Sequence, residues 1–121
     1  MFNIFKKKKR TKARILEISS LQDEIVEKKR PALVTFSAAW CGACKMQKPL
    51  INDLADHHRD KNLVIGFVDI DSQTELSRQF AVQSIPTTLV FKDGEVIFRK
   101  TGLLSRGNLE NLVQEINKTS P

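Results

Sequence analysis

Cysteine and histidine are scarce in this chain: two of each in 121 residues. A tetrahedral zinc centre takes four ligands. If one helix carries His57, His58 and Cys44, the imidazoles lie at least ~20 Å from the sulfur at ~1.5 Å per residue, so no mononuclear zinc site, and no metal, is expected within the chain. The histidines themselves read as a solvated helix end, where imidazole suits the negative dipole. Long apolar runs are also missing. No stretch of ~20 apolar residues is available to span a membrane. Phe2, Ile4 and Phe5 precede the basic run rather than follow it, the reverse of a secretory signal. The expected location is therefore the cytoplasm, where two cysteines three positions apart do not serve as a structural staple. There is no internal repeat.

The formal charge of +6 is unevenly placed. Residues 1–14 hold seven basic and no acidic side chains, leaving 13 basic and 14 acidic residues for positions 15–121. The body is near neutral, and the charge belongs to an arm over 1–14, expected to be flexible, ahead of a single domain over 15–121. Without a basic face or a nucleic-acid-binding motif, no specific nucleic-acid partner is expected. The arm reads as a solubilising tail. Its sharper alternative is contact of residues 2–14 with an anionic membrane surface, where each charge contributes up to ~1 kcal/mol.

Along the domain, Ile15 to Ile18 reads as a first strand. A short helix capped by Ser20 follows, with Leu21 and Ile25 inward, and Pro31 closes it. Ala32 to Phe36 has the continuous β-rich composition of a strand buried on both faces. From Cys41 to about His58, Met46, Leu50, Ile51, Leu54 and Ala55 recur at helical spacing, with Pro49 expected to bend the helix. Leu63 to Asp69 is a second buried strand, and Ser72 with Glu75 suggests a capping box for a helix to about Phe80. Thr87 to Lys92 and Glu95 to Thr101, joined by Asp93-Gly94, predict an antiparallel hairpin. Ser105 caps a last helix over about 106–118, with Leu109, Leu112, Val113 and Ile116 on one face. The expected fold is α/β: a central mixed five-stranded sheet flanked by about four helices in three layers, α/β/α.

The chemistry sits where the second strand feeds the long helix. A sulfur at Cys41 meets the unpaired N–H groups and positive end of that helix, which favours thiolate. Cys44 lies one turn further in, more buried, and is placed to attack Cys41 after Cys41 has joined a substrate.

The segment Phe36-Ser37-Ala38-Ala39-Trp40-Cys41-Gly42-Ala43-Cys44-Lys45, with Pro49 five residues on, resembles the active site of the thioredoxin family. So do Val68-Asp69-Ile70-Asp71, Ser84-Ile85-Pro86-Thr87, Phe91-Lys92-Asp93-Gly94 and Thr101-Gly102, in the family's order and spacing over about residues 15–118. The resemblance implies a protein-disulfide reductase with Cys41 as nucleophile and Cys44 as resolving thiol. It further implies that Pro86 is a cis-proline abutting the cysteines and that the segment before it, including Ile85, binds an extended substrate peptide. Trp40, Gly42, Ala43 and Gly102 would then frame the sulfur; Trp40 is otherwise a core residue. No cofactor would be bound: electrons would come from NADPH through a thioredoxin reductase, and the protein would work as a monomer on protein disulfides.

Four positions depart from the family pattern. Ala43 replaces a proline, which points to a less reducing couple. Thr35 stands where the family has a buried aspartate and Phe67 where a charged partner is common, so Cys44 lacks its carboxylate base and its attack is expected to be slower. Ser84 replaces a common glycine and bears on which peptides dock. Ala43 and the missing carboxylate point to a second reading, a disulfide isomerase or oxidase; a third, a thioredoxin-fold binding module without redox turnover, is opposed by the retention of both cysteines, Trp40 and Pro86.

Overall fold

The structure is a computed structural model that describes residues 10–118. The strands are β1 (Arg14–Ile15), β2 (Ala32–Ser37), β3 (Val64–Asp69), β4 (Thr87–Lys92) and β5 (Glu95–Thr101). The helices are α1 (Ile18–Ser20, continued in π-helical form by Leu21–Glu27), α2 (Gly42–His57), α3 (Thr74–Gln79) and α4 (Arg106–Lys118). They form one mixed sheet of order β1-β3-β2-β4-β5. β3 runs parallel to β1 and β2, while β4 runs antiparallel to β2 and β5.

β2 is central because its sequence can be buried on both faces: Ala32, Leu33, Val34, Thr35 and Phe36 are all fully buried. Alternation sends Leu33 to one core with Ile51, Leu54, Phe67, Val90, Leu109 and Val113, beneath α2 and α4. It sends Ala32, Val34 and Phe36 to the other, with Leu21, Ile25, Val68, Leu76 and Phe91, beneath α1 and α3. The expected three layers are thus present, and the Asp93-Gly94 hairpin turns with φ of 55° and 83°, as its paired left-handed residues require.

The start of the domain differs from its local pattern. The first strand ends at Ile15, and Ile18 opens α1 instead of closing a strand. Ser20 makes no cap; the Ile18 N–H is satisfied from across the molecule by Gln73 Oε1 at 3.1 Å. α3 likewise begins at Thr74 with no side-chain cap bond, so Ser72 and Glu75 form no capping box. At the C-terminal helix the local signal suffices: Ser105 Oγ accepts from Asn108 N at 3.1 Å. Gly66 is required where β1 pairs with β3, because a Cβ there would lie 2.8 Å from the Leu16 side chain and 2.9 Å from the Arg14 carbonyl oxygen.

Most of the basic arm lies outside the described residues, including Phe2, Ile4, Phe5 and Lys6 to Lys9. Its last part runs beside α2. Arg10 pairs with Asp53 at 2.7 Å, and the N–H groups of Thr11 and Ala13 donate to Asp56 and Asn52.

The helix end after Asp56 also departs from the sequence reading. His57 is exposed, but His58 is only 3% exposed, and its Nε2 lies 2.7 Å from Glu110 Oε2 on α4. A carboxylate only accepts, so Nε2 carries the proton. Nδ1 is buried without a partner among the described residues, and a second proton there would be unsatisfied. Burial holds the His58 pKa below its ordinary value, with the Glu110 carboxylate opposing the shift. As pH falls below about 6.5 the unfolded chain takes up that proton before the folded one does, so stability falls with it. The bound carboxylates act lower, below about 4.5, where unfolded carboxyls titrate. The expected result is a decline in the urea unfolding midpoint between about pH 6.5 and 5 that flattens in His58→Gln, which keeps a donor for Glu110. An equal slope in both proteins would contradict this role.

Candidate active site

β2 delivers the chain to one end of the sheet, and residues 38–41 turn it into α2. The turn is closed by the Cys41 N–H, which donates to the Ala38 carbonyl at 3.2 Å. Cys41 has extended backbone angles, φ −92° and ψ 117°, and is the N-cap of α2. Its sulfur does what an N-cap oxygen does elsewhere: it accepts the Cys44 N–H at 3.2 Å. An anionic sulfur is stabilised by both that donor and the helix dipole.

Cys44 lies one turn in and is 4% exposed, whereas Cys41 is half-buried; both are free thiols. Burial pushes the Cys44 thiol up to about 11, and its hydrogen bond with Cys41 pushes the same way. Cys44 is therefore held protonated at neutral pH.

Three distant segments complete the surroundings. The Cys41 thiol faces the Ile85 carbonyl oxygen at 3.9 Å, and the Ile85-Pro86 bond is cis. The Pro86 carbonyl accepts the Gly102 N–H at 2.8 Å. Gly102 adopts φ +95°, a conformation that favours glycine, and has open space where a Cβ would stand. Gly42 and Ala43 form the first two positions of α2. Trp40 is 67% exposed, which excludes a core role, and its Nε1 donates to Asp71 Oδ2 at 2.9 Å.

Two buried polar pairs escaped the sequence reading. Gln47 is fully buried: its Nε2 donates to the Leu104 carbonyl at 2.9 Å and its Oε1 accepts the Leu104 N–H at 2.7 Å. It thereby fixes the loop carrying Gly102 to α2. Met46, expected on the buried face, is 62% exposed. The signal for Gln47 was its place in the stripe Cys44, Gln47, Ile51, Leu54. The second pair joins Thr35 to Thr88, whose hydroxyls lie 2.9 Å apart across β2 and β4. The Thr35 hydroxyl is used within the sheet, and Phe67 stands beside it in register on β3.

A thioredoxin family model matches residues 12–115. The chain belongs to the thioredoxin family. It is 38% identical over 90 residues to a thioredoxin of Acidithiobacillus ferridurans, covering 74% of this chain and 82% of that one. It is 33% identical over 98 residues to a bifunctional thioredoxin reductase/thioredoxin of Mycobacterium leprae (strain TN), covering 78% of this chain and 21% of that one. Among solved structures, a single-site mutant of a thioredoxin from Halobacterium salinarum NRC-1 superimposes with a TM-score of 0.78 at 23% identity, over 96% of this chain and all of the other, and supports the fold. The protein is a thiol–disulfide oxidoreductase of the thioredoxin type. The isomerase or oxidase and binding-module alternatives gain no support from these relatives.

The different burial of the two sulfurs is directly measurable. A thiol with a pKa of about 11 is ionised to roughly one part in 10⁴ at pH 7. Brief iodoacetamide treatment of the reduced protein, read by peptide mass, is expected to label Cys41 and leave Cys44 free. Equal labelling would contradict the assignment.

Proposed function

We propose that the chain reduces disulfides in protein substrates, with Cys41 as nucleophile and Cys44 as resolving thiol. The observation carrying this reading is the Cys44 N–H at the Cys41 sulfur, on a helix mouth open beside Trp40 and Ile85-Pro86. The Cys41 thiolate attacks one sulfur of a substrate disulfide; a Cys41–substrate S–S bond forms, and the other substrate sulfur leaves as a thiolate that takes a proton from water. Cys44 then loses its proton and attacks the Cys41 sulfur. The Cys41–Cys44 bond forms, the second substrate thiolate leaves, and the substrate has gained two electrons.

Backbone groups around Ser84, Ile85 and Pro86 would bind the substrate as an added strand. Trp40 and Gly102 would border it. No resident cofactor is needed for this chemistry. The oxidised pair would be returned to the dithiol by a thioredoxin reductase drawing on NADPH, a partnership supported by the Mycobacterium leprae relative, whose name joins both activities in one chain. The described residues contain no helix long and apolar enough to cross a membrane. A reducing cytoplasm is the proposed setting, since it keeps such a pair in its working state.

Insulin reduction followed by turbidity, with dithiothreitol as electron source, is the test. The wild-type protein is expected to precipitate insulin chains well ahead of the reductant alone, and Cys41→Ser to fall to the reductant's own rate. Wild-type turbidity no faster than that of Cys41→Ser would overturn the reading.

A further inference from the structure

Cys44 forms part of the wall of a half-open pocket of about 350 Å³ whose lining also includes Ile15, Ser37, Lys45, Lys48, Phe67 and Asp69, together with the Ala38-Ala39 turn that leads to Trp40. The apolar side comes from Ile15 on β1 and Phe67 on β3. The charged groups are Lys45 and Lys48 from α2 and Asp69 from β3; β2 adds only the Ser37 hydroxyl.

Asp69 lies two residues along β3 from Phe67, on the same face of the sheet, and pairs in register with Ser37. The Thr35 hydroxyl, one pleat deeper on β2, is bonded to Thr88, and a hydroxyl is in any case a poor base. A carboxylate is thus absent from the pocket floor but present at its outer end. It is also oriented: Asp69 Oδ1 accepts the Asp71 N–H at 2.9 Å, leaving Oδ2 without a protein partner among the described residues.

Resting on the reading of Cys44 as the resolving thiol, we propose that Asp69 is the proton acceptor for Cys44, reached through water in this pocket. When the mixed disulfide at Cys41 is in place, the Cys44 S–H proton passes to a pocket water as that water gives one to Asp69. The Cys44 thiolate attacks the Cys41 sulfur, the Cys41–substrate bond breaks, and the departing thiolate is protonated by solvent. Asp69 returns its proton to bulk water at the pocket mouth. Lys45 and Lys48 favour the transient thiolate by charge but are poor acceptors while protonated. Water in the pocket gives Cys44 a proton path on the Asp69 side, where the Thr35 hydroxyl, bonded to Thr88, offers none.

Stopped-flow reaction of the reduced full chain with 5,5′-dithiobis(2-nitrobenzoate) separates the steps. The first chromophoric thiol reports mixed-disulfide formation at Cys41, and the second reports its displacement by Cys44. The wild-type second phase is expected to vary weakly between about pH 6 and 8. In Asp69→Asn, which keeps an oxygen for the Asp71 N–H, that phase is expected to slow by about 10²-fold near pH 7 and to rise about tenfold per pH unit, the mark of a lost general base. Asp69→Glu should restore most of the rate and the flat profile, and the first phase checks that each variant is folded. A second phase in Asp69→Asn with wild-type rate and profile would overturn the proposal, as would equal slowing of both phases or a wild-type second phase that itself climbs tenfold per unit. A wild-type protein releasing only one chromophore would instead overturn the assignment of Cys44 as resolving thiol.

Discussion

The hydrogen bond from the Cys44 N–H to the Cys41 sulfur is the constraint around which the molecule is arranged. It requires a helix to begin at residue 42, an extended residue to precede it, and a buried strand to bring the chain there. β2 supplies the last of these because five consecutive side chains from Ala32 to Phe36 are excluded from water. The same bond makes the two sulfurs unequal. One is a cap facing outward at the positive end of a dipole; the other is buried one turn along, where its proton is hard to remove.

The groups beside that bond are held by polar pairs inside the apolar layers. Gln47 ties the loop bearing Gly102 to α2 through two hydrogen bonds, and Gly102 in turn holds the Pro86 carbonyl. The position of the cis-proline relative to Cys41 therefore depends on a fully buried side chain. Thr35 and Thr88 form a similar closed pair. Each of these buried polar side chains has a hydrogen-bond partner, and the bonds add rigidity to the core. Thr35, bonded to Thr88, and Phe67, its register partner on β3, place no charged side chain at that level of the sheet.

What the residues alone revealed follows the range of the interactions. The buried strand β2, the Asp93-Gly94 hairpin, the Ser105 cap and the Cys41–Cys44 spacing are local patterns, and each is present where its pattern lies. The misplaced features depend on partners far along the chain. Gln73 caps Ile18 from 55 residues away, and Gln47 meets Leu104 at a separation of 57. His58 meets Glu110 at 52. A polar residue in an apolar stripe shows only that some partner is needed; the topology decides which. The family motif added what periodicity could not, the cis bond before Pro86 and the approach of that segment to Cys41.

The central claim is that one sulfur attacks and the other resolves, and trapping tests it most directly. Cys44→Ser, reduced and mixed with insulin, is expected to accumulate a stable conjugate whose peptide map joins substrate to Cys41, because the resolving sulfur is gone. No conjugate from Cys44→Ser, or one formed as readily through Cys44 in Cys41→Ser, would contradict the account.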